Sequence, residues 1–348
     1  MARPLVHLVN PLWDPHGGAD HRTIDTHRML APVADVRLWS EYDVAPQFRR
    51  THEVRRIRGM RLAFPRGGTL VFVGVYFRIG HWVHFARPAR IVVLYNTDQP
   101  DRLQKNLARL AHAGCGIEVL YTSAALRRRH GGRGPVLESP IDVDRFCPVR
   151  PPSTRPFTIG RMSRDLRSKH HEDDPSLWRA LAYSGCRVRI MGGSCLAREL
   201  EGAPNIELLP AGAEDPAAFL RSLDCFVYRT SDRWFESYGR VVAEAMATGL
   251  PVVAERRGGY VDYITDGVTG RLFDTTPDAA AAVLALRRDP ARAAAYGATA
   301  RVHAERLNRV WIPWRTVDLL VGPSMALPTP SSPSASRLDP IPVPSQYV

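Results

Sequence analysis

The sequence predicts an α/β chain of two doubly wound domains, each a parallel sheet covered by helices on both faces. Three observations carry that expectation. Short apolar runs of strand length alternate with helical segments along most of the 348 residues. The alternation stops at Arg150-Pro151-Pro152-Ser153-Thr154-Arg155-Pro156 and restarts beyond it, so this proline-rich stretch reads as a linker. The length suits two domains that can each bury a core. The expected divisions are 1–150, 151–322 and a Pro/Ser-rich tail, 323–348, whose composition reads as disordered.

Taken in order, residues 5–9 form the first strand, and a loop holding His16-Gly17-Gly18 leads into a helix over 19–30. Further strands of the first domain are expected at 33–39, 70–75, 91–95 and 117–121. The stretch 49–66 is dense in arginine, has no clean period and is assigned no structure. In the second domain 157–159, 188–191, 206–209, 225–228 and 251–254 read as buried strands. Residues 175–183, 197–200, 217–223 and 240–247 read as the helices between them. Helices at 277–287, 291–306 and 310–321 follow, the last free to return to the first domain. Sheets of this kind bind ligands outside the carboxyl ends of their strands.

Hydrophobic residues at 45% and charged residues at 24% exclude a wholly disordered or collagen-like chain. No apolar run approaches membrane-spanning length and no signal peptide is recognisable, so a cytoplasmic protein is expected. Five cysteines without a CxxC pair read as reduced thiols, neither a disulfide framework nor a zinc site. The net charge of +12 lies mostly in residues 1–150, which hold 23 Lys and Arg against 13 Asp and Glu. Nucleic acid, an anionic membrane surface and an acidic substrate all suit such a domain.

The most informative stretch runs from Trp234 to Ala254. Glu236 and Glu244 stand eight positions apart, one just before a helix and one inside it. At helical rise the pair spans on the order of 10 Å. The free amides at the helix start lie between them and suit a phosphate. A sugar at one end, a diphosphate in the middle and a ribose at the other fit that ruler.

This Glu-x7-Glu, the following Ala245-Met246-Ala247-x-Gly249-x-Pro251-Val252-Val253 and the run from Gly258-Gly259-Tyr260 to Leu272-Phe273 resemble the signature of family-4-type retaining glycosyltransferases. Tyr121-Thr122-Ser123 and Pro140-Ile141-Asp142-x-x-Arg145-Phe146-x-Pro148 resemble the end of that family's first domain. The resemblance implies the GT-B fold, two Rossmann-like domains facing across a nucleotide-sugar cleft. It implies that Glu236 holds donor-sugar hydroxyls, that Glu244 accepts from the ribose, and that amides from Ser237, Tyr238, Gly239 and Arg240 lie near the diphosphate. Arg161, in Gly160-Arg161, matches a cation that grips the diphosphate. Lys169 matches a second but stands further along than usual, so Arg164 or Arg167 can substitute for it. Gly17 and Gly18 match the first loop, where the backbone approaches the donor or acceptor.

The first domain departs from the pattern. Many members carry a His, often His-Asp, after a central strand; here Val93-Leu94-Tyr95-Asn96-Thr97-Asp98 stands there. Asn96, Asp98 and His84 (with its neighbour His81) are the acceptor-side candidates. His170-His171-Glu172-Asp173-Asp174 reads as a solvated helix entry, since side chains so close in sequence rarely converge on one ion. The expectation is therefore a retaining, metal-independent transferase without a cofactor. Its co-substrate is a nucleotide-diphosphate sugar, and its acceptor a small molecule, natural product or lipid head group. Arg49, Arg50, Arg55, Arg56, Arg58 and Arg61 would face an anionic acceptor or a membrane surface, giving peripheral association at the inner face. Nucleic acid is not expected, because no aromatic platform accompanies the arginines. The rivals are a silent GT-B binding subunit and a basic nucleic-acid-binding protein.

Overall fold

A computed structural model describes residues 3–148 and 156–322. Most of the expected linker and the whole 323–348 tail lie outside the described residues. The first domain holds strands β1 Leu5–Val9, β2 Asp35–Ser40, β3 Val54–Arg56, β4 Thr69–Val73, β5 Arg90–Tyr95 and β6 Ile117–Tyr121. Its helices are α1 Gly18–Leu30, α2 Pro46–Thr51, α3 Val83–Ala86, α4 Pro100–Leu110 and α5 Ala124–Arg129. The second holds β7 Thr158–Met162, β8 Arg187–Met191, β9 Ile206–Leu209, β10 Cys225–Tyr228, β11 Val252–Glu255 and β12 Arg271–Phe273. Its helices are α6 Asp174–Tyr183, α7 Pro216–Arg221, α8 Arg240–Ala247, α9 Thr276–Arg288 and α10 Pro290–Arg306, and α11 Ile312–Leu320 follows.

Both sheets are parallel and share one strand order. The first runs β3-β2-β1-β4-β5-β6 and the second β12-β11-β10-β7-β8-β9, which is the same 3-2-1-4-5-6 pattern read from the other edge. Each therefore has a switch point where the order reverses, between β1 and β4 and between β7 and β10. Side chains alternate across each sheet into two cores. Leu70, Phe72, Ile91 and Val93 pack on one face of the first sheet; Val71, Val73, Val92 and Leu94 pack on the other. In the second, Phe226 and Tyr228 face away from Cys225 and Val227. This two-sided burial is why the strands read as unbroken apolar runs.

The expected elements differ from the observed ones in four places, the first being edge strand β12, Arg271–Phe273, which has no counterpart among the expected strands. The arginine-rich 49–66 stretch contains α2, the edge strand β3 and a tight turn at Gly59–Arg61. An edge strand pairs on one side only and needs little apolar sequence, so β3 carried no signal. Residues 197–200 form no α-helix; a single 3-10 turn, Ser194–Leu196, bridges β8 and β9. At the end of the chain a π-helical turn, Leu307–Trp311, joins α10 to α11. Helix α11 leaves the second domain and packs on α1, with Val317 and Leu320 in the first domain's core and Thr316 against Met29. Among the described residues no helix is long and apolar enough to cross a membrane.

Candidate functional site

The loops that follow β1, β7 and β10 converge on a single interdomain cleft of about 780 Å³. Both switch points open into it, so the topology alone places a ligand there.

The floor of the second domain is built on the loop before α8. Gly239 caps α8 with φ +80°, where a Cβ would lie 2.8 Å from the Tyr260 ring. No side chain caps the helix, so its first amides are free toward the cleft, which Ser237, Tyr238, Gly239 and Arg240 all line. The motif from Gly258 to Tyr263 props this loop from behind. The Gly259 amide donates to the Glu236 carbonyl at 2.7 Å, and the Tyr263 hydroxyl donates to the Tyr238 and Gly239 carbonyls at 3.0 and 2.8 Å. From the first domain the Ser123 hydroxyl donates to the Ser237 carbonyl at 2.6 Å.

Glu236 and Lys169 form a pair. Lys169 Nζ donates to Glu236 Oε2 at 2.6 Å, the Tyr228 hydroxyl donates to the same oxygen at 2.9 Å, and the Trp234 ring lies 4.4 Å from the ammonium. Burial pushes the Glu236 carboxyl up, but Lys169 and Tyr228 outweigh it and hold it below its ordinary value. For Lys169 burial dominates, and the ammonium is pulled down despite Glu236. Glu244 sits one turn into α8, buried in the cleft wall with Arg240 3.6 Å away, and burial raises its carboxyl.

Arg161 is not in the cleft. It is the last residue but one of a fully buried strand and points beneath the floor, where it meets Asp174 at 3.1 Å, the Arg229 carbonyl at 2.7 Å and the Lys169 carbonyl at 2.5 Å. Asp174 binds Arg229 as well, and the two guanidiniums with His170 keep it ionised against its burial. Arg161 thus fixes the backbone of Lys169 from below. The exposed cation of this loop that lines the cleft is Arg164, 3.7 Å from Asp14 of the first domain.

On the first-domain side, Gly17 and Gly18 line the cleft at the start of α1. Gly17 is required by close approach, since a Cβ would stand 2.2 Å from Asp20 Oδ2. Asp20 is 4% exposed, and its Oδ1 has no hydrogen-bond partner. Burial, then the neighbouring Asp14, push it up to about 7. Asn96 lines the cleft beside Thr97. Asp98 and His84 do not. Asp98 turns to α5 and its end, where it meets Arg129 at 2.9 Å and His130 at 2.6 Å. His84 lies on the short helix α3, exposed beside His81 and His112. Sequence reasoning missed Asp20, three residues past Gly17, and Arg22 and Tyr228. Only their nearness to glycines or strand ends marked them.

Residues 156–303 match the family described as glycosyl transferases group 1. A D-inositol 3-phosphate glycosyltransferase of Rhodococcus opacus (strain B4) is 36% identical over 242 residues, 62% of this chain and 50% of the relative. A GDP-mannose-dependent alpha-mannosyltransferase of Corynebacterium glutamicum is 40% identical over 63 residues, 18% of this chain and 14% of its own. The chain spans about half the length, or less, of the curated relatives it matches. Among solved structures, Anabaena Alr3699/HepE in complex with UDP and glucose aligns with a TM-score of 0.73 at 17% identity, covering 92% of this chain and 100% of that one. WaaG, a glycosyltransferase involved in lipopolysaccharide biosynthesis, aligns at 0.63 and 15%, covering 91% and 100%. Two facing parallel sheets of one strand order give the chain the GT-B fold, and its second domain, over residues 156–303, is similar to the glycosyl transferases group 1 family.

Proposed function

We propose that this chain is a retaining glycosyltransferase that moves a sugar from a nucleotide-diphosphate sugar to a small-molecule, natural-product or lipid-head-group acceptor. The Lys169–Glu236 pair beside the uncapped start of α8 carries the reading. It sets a cation, a row of free amides and a carboxylate within one cleft, which suits a diphosphate joined to a polyhydroxylated ring. Glu244, further along α8, is placed for a ribose. Relatives named for inositol phosphate and GDP-mannose chemistry, and a structural neighbour holding UDP and glucose, support the donor class.

Catalysis on this reading is electrostatic. Lys169, Arg164 and the α8 amides stabilise the charge that develops as the bond between the anomeric carbon and the diphosphate oxygen breaks. The acceptor oxygen bonds to the anomeric carbon from the same face, and its proton passes to the departing phosphate oxygen. No first-domain base is needed, which fits the positions of Asp98 and His84. The cations supply this charge stabilisation, so turnover should persist in EDTA.

The site of action we propose is the cytoplasmic membrane face. Three of the expected surface arginines are engaged locally: Arg49 with the Val44 carbonyl, Arg55 with Glu53 and Arg56 with Asp43. The turn around Arg58–Ala63 instead presents Met60 fully exposed and Leu62 68% exposed, with Phe85 at 67% on the neighbouring segment. Arg58, Arg61 and Arg87 surround them, exposed and without a carboxylate partner among the described residues.

The test of the donor reading is a panel of UDP- and GDP-sugars followed by melting temperature, nucleoside diphosphate release and the anomeric configuration of the product. A nucleotide sugar should stabilise the protein and be turned over with retention, with and without EDTA. Lys169→Met should lower turnover about 100-fold. Glu244→Gln should weaken nucleoside diphosphate binding, and Glu236→Gln should reduce turnover more than binding. Failure of every nucleotide sugar to bind would overturn the reading.

A further inference from the structure

The cleft wall holds a buried cation that the donor reading does not use. Arg22, in the second turn of α1, is 1% exposed. Its Nη2 donates to the Leu137 carbonyl at 2.5 Å, but Nη1 and Nε have no partner. Among the described residues no carboxylate lies within ion-pair distance of it. Burial lowers the guanidinium to about 10, so it stays charged at neutral pH.

Four other cleft-lining side chains also have an unpartnered buried polar atom: Asp20 Oδ1, Thr122 Oγ1, Trp234 Nε1 and the Tyr238 hydroxyl. Thr122 Oγ1 belongs to the loop after β6, and the Tyr238 hydroxyl to the loop before α8; they are 0% and 5% exposed. Tyr238 is near enough to Arg22 for each to influence the other's charge. Glu138, the one carboxylate whose charge Arg22 feels, also feels Arg315, and its burial raises it. Buried donors are rarely left unmatched, and an unpaired buried charge is the least favourable case. Three donors lining one cleft, with a full positive charge among them, are complementary to an oxyanion.

We infer that Arg22, Thr122 and Tyr238 form an anion pocket that takes the phosphate monoester of the acceptor. Its cation, Arg22, comes from α1 of the first domain, whereas Lys169 and Arg164 of the same cleft come from the loop after β7 in the second. Arg22 and Thr122 belong to the first domain and Tyr238 to the second, so a bound anion draws the two together. The assignment of the anion to an acceptor rests on the glycosyl-transfer reading; the existence of the pocket does not.

The experiment titrates inorganic phosphate into the full chain by calorimetry, alone and with saturating UDP or GDP, for the wild type and for Arg22→Met, Thr122→Val and Tyr238→Phe. Phosphate should bind whether or not the nucleotide is present. Arg22→Met should weaken it about 10-fold or more and each hydroxyl deletion about 3-fold, the range for charged and neutral hydrogen bonds. UDP or GDP affinity should change little in Arg22→Met and Thr122→Val. Glycerol 3-phosphate should displace phosphate, and glycerol should not. The pocket is overturned if phosphate does not bind the wild type, or binds Arg22→Met equally well. Arg22→Met weakening the nucleotide as much as phosphate would place the guanidinium on the donor instead. Failure of glycerol 3-phosphate to compete overturns the acceptor assignment. If Arg22→Met does not fold, Thr122→Val and Tyr238→Phe decide, provided their melting temperatures match the wild type. If neither nucleotide binds, the glycosyl-transfer reading fails while the phosphate titration alone still decides the pocket.

Discussion

Arg240 of the second domain donates to Asp25 of the first at 3.0 Å, and the same nitrogen lies 3.6 Å from Glu244. Its other nitrogen reaches the Ser139 hydroxyl at 3.0 Å and the Pro140 carbonyl. The side chains of Arg240, Asp25 and Glu244 are all less than one-sixth exposed, so water screens them little. One guanidinium thus serves two carboxylates and spans the cleft. Arg240→Gln is expected to cost about 1–3 kcal/mol of stability, measured by urea unfolding. It should also lower turnover through looser domain apposition, visible as a larger radius of gyration in solution scattering. Unchanged scattering would show that the contact does not hold the domains.

Arg161 and Arg164 should separate cleanly. Arg161→Ala leaves Asp174 buried with one guanidinium fewer and releases the Lys169 carbonyl, so it should destabilise by about 3 kcal/mol, the lower range for breaking a buried pair. Arg164→Ala should melt like the wild type yet weaken nucleoside diphosphate binding about 10-fold. A stable Arg161→Ala protein with weakened nucleotide binding would return Arg161 to the diphosphate.

Asp20 makes stability depend on pH in an unusual direction. Its carboxyl is raised to about 7, above the ordinary value near 4 that it regains on unfolding. Between those values the unfolded chain is ionised there and the native chain is protonated, so a rise in pH favours unfolding. Above about 7 both states are ionised and the effect levels off. Asp20→Asn keeps the size and shape of the side chain but removes the titration. Its melting temperature should gain on the wild type from pH 4.5 to 7 and hold a constant lead to 8.5. A difference that is flat below pH 7 would refute the shift.

Vesicle co-sedimentation checks the exposed turn. Anionic vesicles should carry the protein down at low salt, less so as salt rises past a Debye length of about 8 Å, and neutral vesicles should not. Met60→Ser combined with Leu62→Ser should reduce binding without moving the melting temperature, because both side chains are exposed. Equal recovery on neutral and anionic vesicles would remove the charge from the explanation.

Much of this architecture is legible because burial on both sheet faces writes itself as apolar runs. Ile117–Tyr121, Ile206–Leu209 and Cys225–Tyr228 have the expected ends. Glu236 and the start of α8 meet as the motif spacing suggests, because neighbours along one loop and helix stay neighbours in space, while Lys169 is brought to Glu236 from the loop after β7 by the fold. What the sequence does not show is direction. Whether Arg161 turns into the cleft or beneath it depends on Asp174, thirteen residues away on another element. Asp98 is drawn aside by Arg129 and His130 from a different helix. Arg22 reads as an ordinary helix-surface arginine until α1 is seen packed against the segment that carries Leu137.

The π-helical turn at Leu307–Trp311 makes the first domain discontinuous: α11 completes its core after the whole second domain has been threaded. During synthesis from the amino end, residues 3–148 therefore emerge without the helix that covers Leu8, Ile24 and Leu30. The second domain can close on itself first, and its completion delivers α11 to the waiting face. A chain cut near 150 would yield an amino-terminal piece that is sticky rather than independent, and a carboxy-terminal piece trailing an amphipathic helix with nowhere to dock. The two pieces should recombine into one folded body, since each carries what the other lacks.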